Sequence, residues 1–427
     1  MSESRLTLLY GVNEADSWWH FAVGPRRERI WARLREMDVR IIRIFLYQKG
    51  TPDPVSDWKT FAAYVQAVLD VGAIPMITFA QFPGPLDGGR AIRAFANRCG
   101  DVVWSALEHW GPATVREWLW CVWNEPNNTW IGGGVSFEQY RAIYESVAEQ
   151  VVRWLGPHLG GGAPRLGGPS VEGFQPFWLD WIWRFTEEID HSLIGFVNWH
   201  LYADWRDDGE EGAPRDAVTH RSLMLAQTPE YAERARAVAE TLNGLGALNI
   251  CGEWNAHSHY LPSVRARFNQ TLFGAAYGVS VLLHLMRGGV DAEMLWTGTD
   301  DACGYGVLDK DALPTPLFHA KSLCTRYIRH EDWISFPTWE HRYLELDSVV
   351  ARGDDGQRSA LIVHLRDDAA TYSLSELDAN VDDYRTLLKI DGETGNRVLC
   401  RPADGTVPFR GYGVAVVTNA EPNSIVI

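Results

Sequence analysis

Eight short apolar runs recur along the first three quarters of the chain, and each is followed by a longer amphipathic segment. Most of them are continuously apolar, which is typical of parallel strands that helices cover on the outside. Strand then helix, repeated eight times, predicts an α/β fold, a (β/α)8 TIM barrel over residues 1–330. The predicted strands are 6–12, 39–47, 73–80, 118–124, 165–171, 193–201, 248–254 and 292–298.

The segments between these runs have helical spacing. From Phe137 to Leu155 apolar residues recur every three or four positions, and Ser136 with Gln139 forms a capping box at the start. A doubly wound sheet is the structural alternative, but no G-x-G-x-x-G follows the first strand, and the glycines of 159–168 have the wrong spacing for a phosphate loop. Further helices are predicted over 25–37, 57–71, 90–109, 176–188, 229–243, 264–286 and 315–328.

The pattern changes after residue 330. Short alternating runs at 359–366, 384–390 and 412–418 are separated by Asp-Gly pairs that favour hairpin turns. We therefore expect residues 331–427 to form a small C-terminal antiparallel β-sandwich domain.

Charge and cysteine content exclude several classes of protein. The 427 residues include 39 Lys and Arg against 55 Asp and Glu, a net charge of −16, which argues against nucleic acid and anionic membranes as partners. No run of about 18 apolar residues could span a membrane. The six cysteines form no C-x-x-C pair, which excludes a zinc ribbon. We expect a reduced, cytoplasmic protein, and its oligomeric state stays open.

Two glutamates stand at the ends of predicted strands, where function gathers in (β/α)8 enzymes. Glu125 lies in Asn124-Glu125-Pro126 after the fourth strand, and the proline cannot continue a strand. Glu253 ends the seventh strand. Burying the carboxylate of a glutamate that follows a buried strand costs free energy, so such a residue is expected to be paired with another group or to have a functional role. Two of them on one rim suit a general acid and a nucleophile that face one bond.

Other side chains at the same rim are candidates for binding a substrate. Indole rings suit the apolar face of a sugar, and a ring N–H can bond a hydroxyl. No carboxylate or cysteine completes a zinc set around His257 and His259, so neither a metal nor a cofactor is expected. The rim candidates are Arg43 on the second strand, His200 and Tyr202 on the sixth, Trp254 on the seventh and Trp296 on the eighth.

Together these residues resemble the retaining glycoside hydrolases of clan A, and most of all glycoside hydrolase family 39, which includes β-xylosidases and α-L-iduronidases. The resemblance covers about residues 6–329. It is carried by V-W-N-E-P-N at 122–127, G-G-P at 167–169, H-x-Y at 200–202, G-E-W-N at 252–255 and Trp296.

The resemblance implies a role for each candidate. Glu125 would be the acid/base and Glu253 the nucleophile of a double displacement, with carboxyl groups about 5–5.5 Å apart. Asn124 would bond the sugar 2-hydroxyl, and Arg43 and Tyr202 would hold the nucleophile. His200, Trp254 and Trp296 would contact the sugar. The chain departs from the family at Phe45, where the family usually has a histidine two residues after the strand arginine.

Three functions remain open at this point. The first is an exo-acting, β-xylosidase-like enzyme on an oligosaccharide or glycoside, and the second is an endo-acting glycanase on a polysaccharide. The third is a carbohydrate-binding barrel without catalysis, although a binder needs neither Glu125 nor Glu253. The long segment 203–228 would favour exo action if it walled one side of the site.

Overall fold

A computed structural model describes residues 3–15, 17–47, 50–81, 88–130, 134–300, 302–337, 344–378 and 381–421. Its centre is a closed barrel of eight parallel strands, which confirms the predicted fold class and excludes the doubly wound sheet. A two-residue strand, β1 (Ser4–Arg5), precedes the barrel. The barrel strands are β2 (Leu9–Glu14), β3 (Ile41–Leu46), β4 (Ile74–Phe79), β5 (Leu119–Val122), β6 (Leu166–Val171), β7 (Phe196–Asp204), β8 (Leu248–His257) and β9 (Ala292–Leu295).

Helices cover the outside of the barrel. Both halves of the capping box between Ser136 and Gln139 are present at the start of α6. None of the helices in the described ranges combines the length and apolar character that crossing a membrane requires. The helices are α1 (Trp18–Ala22), α2 (Arg27–Glu36), α3 (Trp58–Val71), α4 (Gly89–Trp110), α5 (Pro112–Val115), α6 (Phe137–Leu155), α7 (Trp178–Glu188), α8 (Ala217–Ala226), α9 (Glu230–Thr241), α10 (Pro262–Asn269), α11 (Leu272–Gly288) and α12 (Pro316–Tyr327).

An antiparallel sheet of seven strands follows the barrel, in the spatial order β1-β10-β11-β12-β17-β14-β15. A separate pair, β13 with β16, packs its Tyr372 and Phe409 into one apolar cluster with Leu346 and Ile362 of the large sheet. The predicted antiparallel β-structure is therefore confirmed. The strands are β10 (Trp333–Ser335), β11 (Leu346–Arg352), β12 (Arg358–His364), β13 (Ala369–Ser373), β14 (Thr386–Ile390), β15 (Leu399–Pro402), β16 (Thr406–Arg410) and β17 (Gly413–Thr418).

The chain's first strand belongs to this second sheet and not to the barrel. β1 pairs with β10, with Ser4 opposite Ile334 and Arg5 opposite Trp333. Sequence reasoning missed this pairing, because a two-residue exposed strand has no apolar pattern to reveal it.

The second sheet packs directly on the barrel's helices. Leu361 and Val416 of the sheet share one apolar cluster with residues of α11 and α12. For this reason α11 has almost no exposed face. A polar clasp joins α11 to the buried Asp347 of β11. The carboxylate of Asp347 lies 2.9 Å from Arg287 Nη1, 3.2 Å from His284 Nε2 and 2.5 Å from Ser280 Oγ.

Removing this carboxylate should destabilise the protein strongly. Asp347→Ala leaves the partly buried Arg287 without its counter-ion and the buried His284 without its hydrogen-bond partner, so we expect the free energy of unfolding to fall by about 3 kcal/mol. Chemical denaturation of both proteins measures the difference. Glu240→Ala, which removes an exposed carboxylate from α9, is the matched control and should change stability by no more than about 0.5 kcal/mol. A similar small change for Asp347→Ala would contradict the clasp.

Candidate active site

A cavity of about 320 Å³ opens at the carboxyl ends of the barrel strands. Residues from the ends of β5, β6, β7 and β8 and from the segment after β9 line it. This is the face on which (β/α)8 proteins carry their sites. The lining residues are Asn124, Glu125, Asn128, Glu172, Gly173, Phe174, His200, Leu201, Tyr202, Glu253, Ser258, Trp296 and Tyr305.

The end of β5 bends sharply and delivers Glu125 to the cavity. β5 stops at Val122, and Trp123 and Glu125 both adopt positive φ angles, 75° and 47°. Such a conformation costs about 1 kcal/mol or more for a residue with a side chain and needs support from its surroundings. Backbone hydrogen bonds supply that support: Trp123 N donates to Phe79 O at 2.9 Å, and Glu125 N donates to Ser170 O at 2.9 Å.

Glu125 is buried, and its carboxyl has two polar neighbours. Asn128 Nδ2 donates to Oε2 at 3.0 Å, and His200 Nδ1 lies 2.9 Å from Oε1. Burial raises the pKa of Glu125 to about 7, although the Asn128 hydrogen bond and the charge of Arg43 oppose the rise. A carboxyl of this kind holds a proton near neutral pH, which a general acid requires.

A bulge in β8 directs Glu253 into the same cavity. On β7, Trp199 pairs with Cys251 and His200 pairs with Glu253, so Gly252 has no partner in the register. Bulges turn side chains in this way next to functional sites. Gly252 is required by packing, because a Cβ at this position would lie 1.9 Å from Asn198 Oδ1.

Glu253 is held by two donors from opposite sides. Arg43 Nη1 donates to Oε1 at 2.6 Å, and the Tyr202 hydroxyl donates to Oε2 at 3.1 Å. Burial raises the pKa of Glu253, and the adjacent charge of Arg43 opposes this rise. The two carboxyls are close to each other, since an oxygen of Glu125 and an oxygen of Glu253 lie within 4.8 Å.

Arg43 lies behind the cavity wall and is completely buried. Its Nε donates to Thr78 Oγ1 at 2.9 Å, and its Nη2 donates to Asn124 Oδ1 at 2.8 Å. Because Asn124 Oδ1 accepts from Arg43, the amide nitrogen of Asn124 is the group oriented toward a ligand.

His200 is neutral in this environment. Burial lowers its pKa to about 3. Its Nε2 lies 3.4 Å from Arg43 Nη1, and a guanidinium can only donate, so Nε2 is the acceptor. The proton of the imidazole is therefore on Nδ1, which donates to Glu125 Oε1.

Glu125, His200 and Glu253 also offer three ligand atoms within 4.8 Å of one another, a spacing that a metal ion could use. The donor set fits a cation poorly, because Arg43 already places a positive charge 2.6 Å from Glu253 Oε1. The two rim histidines hold a loop: His257 Nε2 lies 2.9 Å from Arg206 O, and His259 Nε2 lies 3.1 Å from Glu210 Oε1.

Trp296 lines the cavity, whereas Trp254 does not. The ring of Trp296 packs edge to face on Phe45, with centroids 5.5 Å apart. Trp254 is completely buried, and its Nε1 donates to Glu293 Oε2 at 2.7 Å. The expected sugar contact of Trp254 is therefore corrected: neighbouring strand residues face opposite sides, so Trp254 points outward where Glu253 points inward.

The lining residues that sequence reasoning missed include Glu172, Phe174 and Tyr305. Glu172 directly follows β6, so the strand-end rule that selected Glu125 could have found it. The segment 203–228, which would have favoured exo action by walling one side, contributes no residue to the cavity lining.

Comparisons with known proteins agree with this architecture. No protein-family model matches the chain. A β-xylosidase of Geobacillus stearothermophilus is 26% identical over 283 residues, which cover 62% of this chain and 50% of the relative. The chain spans about half the length of the curated relatives it matches.

Solved structures share the fold over nearly the whole chain. A monomeric β-xylosidase from Caulobacter crescentus superposes with a TM-score of 0.67 at 15% identity, covering 97% of each chain. A family 51 α-L-arabinofuranosidase from Bifidobacterium longum gives a TM-score of 0.69 at 15% identity, again over 97% of each chain. The predicted resemblance to family 39 is confirmed as a similarity: a GH39 β-xylosidase from Caulobacter crescentus superposes with a TM-score of 0.65 at 16% identity, and the curated relatives that match in sequence are β-xylosidases.

Adding one methyl group at Gly252 should disturb both the bulge and the fold. Gly252→Ala would overlap Asn198 Oδ1, so we expect the free energy of unfolding to fall by about 3 kcal/mol. Chemical denaturation measures this loss. In a double-mutant cycle, Asn198→Ala should relieve the overlap, and the double variant should lose at least about 1 kcal/mol less than the sum of the two single losses. Strictly additive losses would show that the two residues do not collide.

Proposed function

We propose that the protein is a retaining glycoside hydrolase in which Glu125 is the acid/base and Glu253 the nucleophile. One observation carries the proposal: two buried carboxyls, one after the end of β5 and one on β8, each have an oxygen within 4.8 Å of an oxygen of the other. Retaining glycosidases have carboxyl groups about 5–5.5 Å apart, whereas inverting enzymes need about 6.5–9.5 Å to hold a water between them.

In the first step Glu125 gives its proton to the oxygen of the leaving group. Its raised pKa keeps it protonated up to about pH 7, and its ordinary value would not. Glu253 attacks the anomeric carbon at the same time and forms a covalent glycosyl-enzyme. Arg43 favours the charged form of Glu253 that this attack needs.

In the second step Glu125 is a carboxylate and takes a proton from water, which attacks the same carbon. Glu253 leaves as a carboxylate, and Arg43 and Tyr202 again donate to it. Two inversions return the original anomeric configuration. The amide nitrogen of Asn124 is positioned to bond the sugar 2-hydroxyl beside the reacting carbon.

The cavity favours the end of a neutral glycoside as substrate. Its volume of about 320 Å³ lies at the lower end of the range for ligand pockets, which supports exo action over cleavage within a polysaccharide. Three carboxyls, Glu125, Glu172 and Glu253, line the cavity, and their negative charge disfavours a uronic acid as substrate. Arg206, which could pair with a uronate, is bound to Asp204 at 2.9 Å. A β-xyloside is therefore the first substrate to test.

A panel of 4-nitrophenyl glycosides with both anomers, including a β-xyloside and a β-glucuronide, tests the proposal. We expect the neutral β-xyloside to be cleaved, with the same anomer as the first product by NMR. Glu253→Ala and Glu125→Ala should lower kcat on a substrate that needs acid catalysis by at least about a thousandfold, because each removes a reacting group.

Added azide distinguishes the nucleophile from the acid/base, because it gives a different glycosyl azide with each variant. In Glu253→Ala it can occupy the space of the lost carboxylate and should give a glycosyl azide of inverted configuration, whereas Glu125→Ala should give the retained azide. Glu240→Ala is the matched control for loss of a carboxylate. Full turnover by either active-site variant would reject the assignment, and sugar binding without hydrolysis of any panel member would favour the non-catalytic alternative.

Activity should fall as the pH rises through about 7. The acid form of Glu125 is the reactive one, and its pKa is raised to about 7, so kcat/KM should drop about tenfold per pH unit above that value. A pH profile on methyl β-xyloside, which needs a protonated leaving group, measures this limb. A 2,4-dinitrophenyl glycoside needs no acid and serves as the control, in which the limb should be absent. The same limb on both substrates would exclude Glu125 as its origin.

A further inference from the structure

A third carboxyl, Glu172, faces the cavity, and the reaction described above does not use it. The residue is 7% exposed and directly follows β6. Its Oε1 accepts the backbone N–H of Phe174 at 2.6 Å. Its Oε2 is buried and has no hydrogen-bond partner among the residues that the structure describes. Leaving a buried carboxyl oxygen unbonded is costly, which points to a donor that arrives with a ligand.

Glu172 is held in a fixed position relative to Glu125. The side chain of Asn127 makes two hydrogen bonds to the backbone of Glu172: Nδ2 donates to its carbonyl, and Oδ1 accepts from its N–H, both at 2.9 Å. Asn127 lies two residues after Glu125, so the ends of β5 and β6 are joined directly. A carboxyl positioned this way suits recognition better than one on a free loop.

An exposed aromatic ring stands beside this carboxyl. Phe174 lines the same cavity, although 42% of the residue is exposed. Its ring lies nearly parallel to that of Tyr202, with an interplanar angle of 24° and centroids 6.5 Å apart. An exposed apolar ring next to an unbonded carboxyl is a combination that matches a pyranose, which has an apolar C–H face and hydroxyl groups at its edge.

We infer that Glu172 and Phe174 form the subsite for the sugar that leaves, with Oε2 accepting one of its hydroxyls and the ring supporting its apolar face. The inference rests on the proposed function, because the acid/base marks the side on which the leaving group departs. Glu172 and Phe174 follow β6, the neighbour of the strand that carries Glu125, whereas Glu253 comes from β8. The substrate class is therefore a disaccharide or short oligosaccharide, and a methyl glycoside leaves this subsite empty.

The test compares two substrates that both need acid catalysis. In β-1,4-xylobiose the leaving group is a sugar, whereas in methyl β-xyloside it is methanol. The measured quantity is the ratio of kcat/KM for the disaccharide to kcat/KM for the methyl glycoside. In Glu172→Gln an amide N–H₂ replaces the accepting oxygen, and this ratio should fall about tenfold, mainly through KM. Phe174→Ala should lower the same ratio, and because Phe174 is exposed its removal does not threaten the fold.

Phe177→Ala is the matched control for the aromatic change. Phe177 lies in the same segment and is 47% exposed, but it does not line the cavity, so its variant should keep the wild-type ratio. An unchanged ratio in both Glu172→Gln and Phe174→Ala overturns the inference. Equal losses on both substrates also overturn it, because they would mean that Glu172 acts through Glu125.

Cleavage of the two substrates by the wild-type enzyme tests the proposed function, and the ratios in the variants test the subsite. If the substrate panel selects another sugar, its disaccharide and methyl glycoside replace the xylosides. A wild type that cleaves no glycoside rejects the proposed function itself. A wild type that cleaves both substrates, with unchanged ratios in the variants, rejects only the subsite.

Discussion

The buried contact between Arg43 and Glu253 is the interaction on which the rim of the barrel depends. Both side chains are buried, and an unpaired buried charge costs several kcal/mol. The guanidinium of Arg43 donates hydrogen bonds to Glu253, Asn124 and Thr78. It therefore connects the carboxyl ends of β3, β4, β5 and β8. The position of the Glu253 carboxylate is therefore part of the packing of the barrel and not an addition to it.

A second buried ion pair lies on the outer face of the barrel, beside β8 and β9. Lys321 of α12 pairs with Glu293 of β9, and both are completely buried. Glu293 also accepts from Trp254 Nε1 at 2.7 Å. Because successive strand residues alternate, fixing Trp254 on the outer face directs Glu253 to the inner one. Trp254, which does not line the cavity, thus acts together with the bulge at Gly252 to direct the neighbouring carboxylate inward.

Sequence patterns predicted the barrel strands, which are buried along their whole length. They missed features that depend on contacts between individual side chains. Parallel strands covered on the outside are apolar runs, so all eight appear in the sequence, and Glu125 and Glu253 follow from their ends. Glu172 follows a strand in the same way, but no motif surrounds it. The segment 203–228 contacts the end of β8 and does not line the cavity. His220 joins Asp204 and Asp208 within this segment at 3.0 and 2.6 Å, a contact between side chains that no periodicity reveals.

The proposed division of roles between the two carboxyls follows from the position of Arg43. Arg43 contacts Glu253 directly, whereas the neutral side chain of His200 lies between Arg43 and Glu125. Burial raises the pKa of both groups, but only one has a counter-charge in contact, so the proton belongs on Glu125. The Nδ1–H of His200 donates to that carboxyl and would stabilise it once its proton has left.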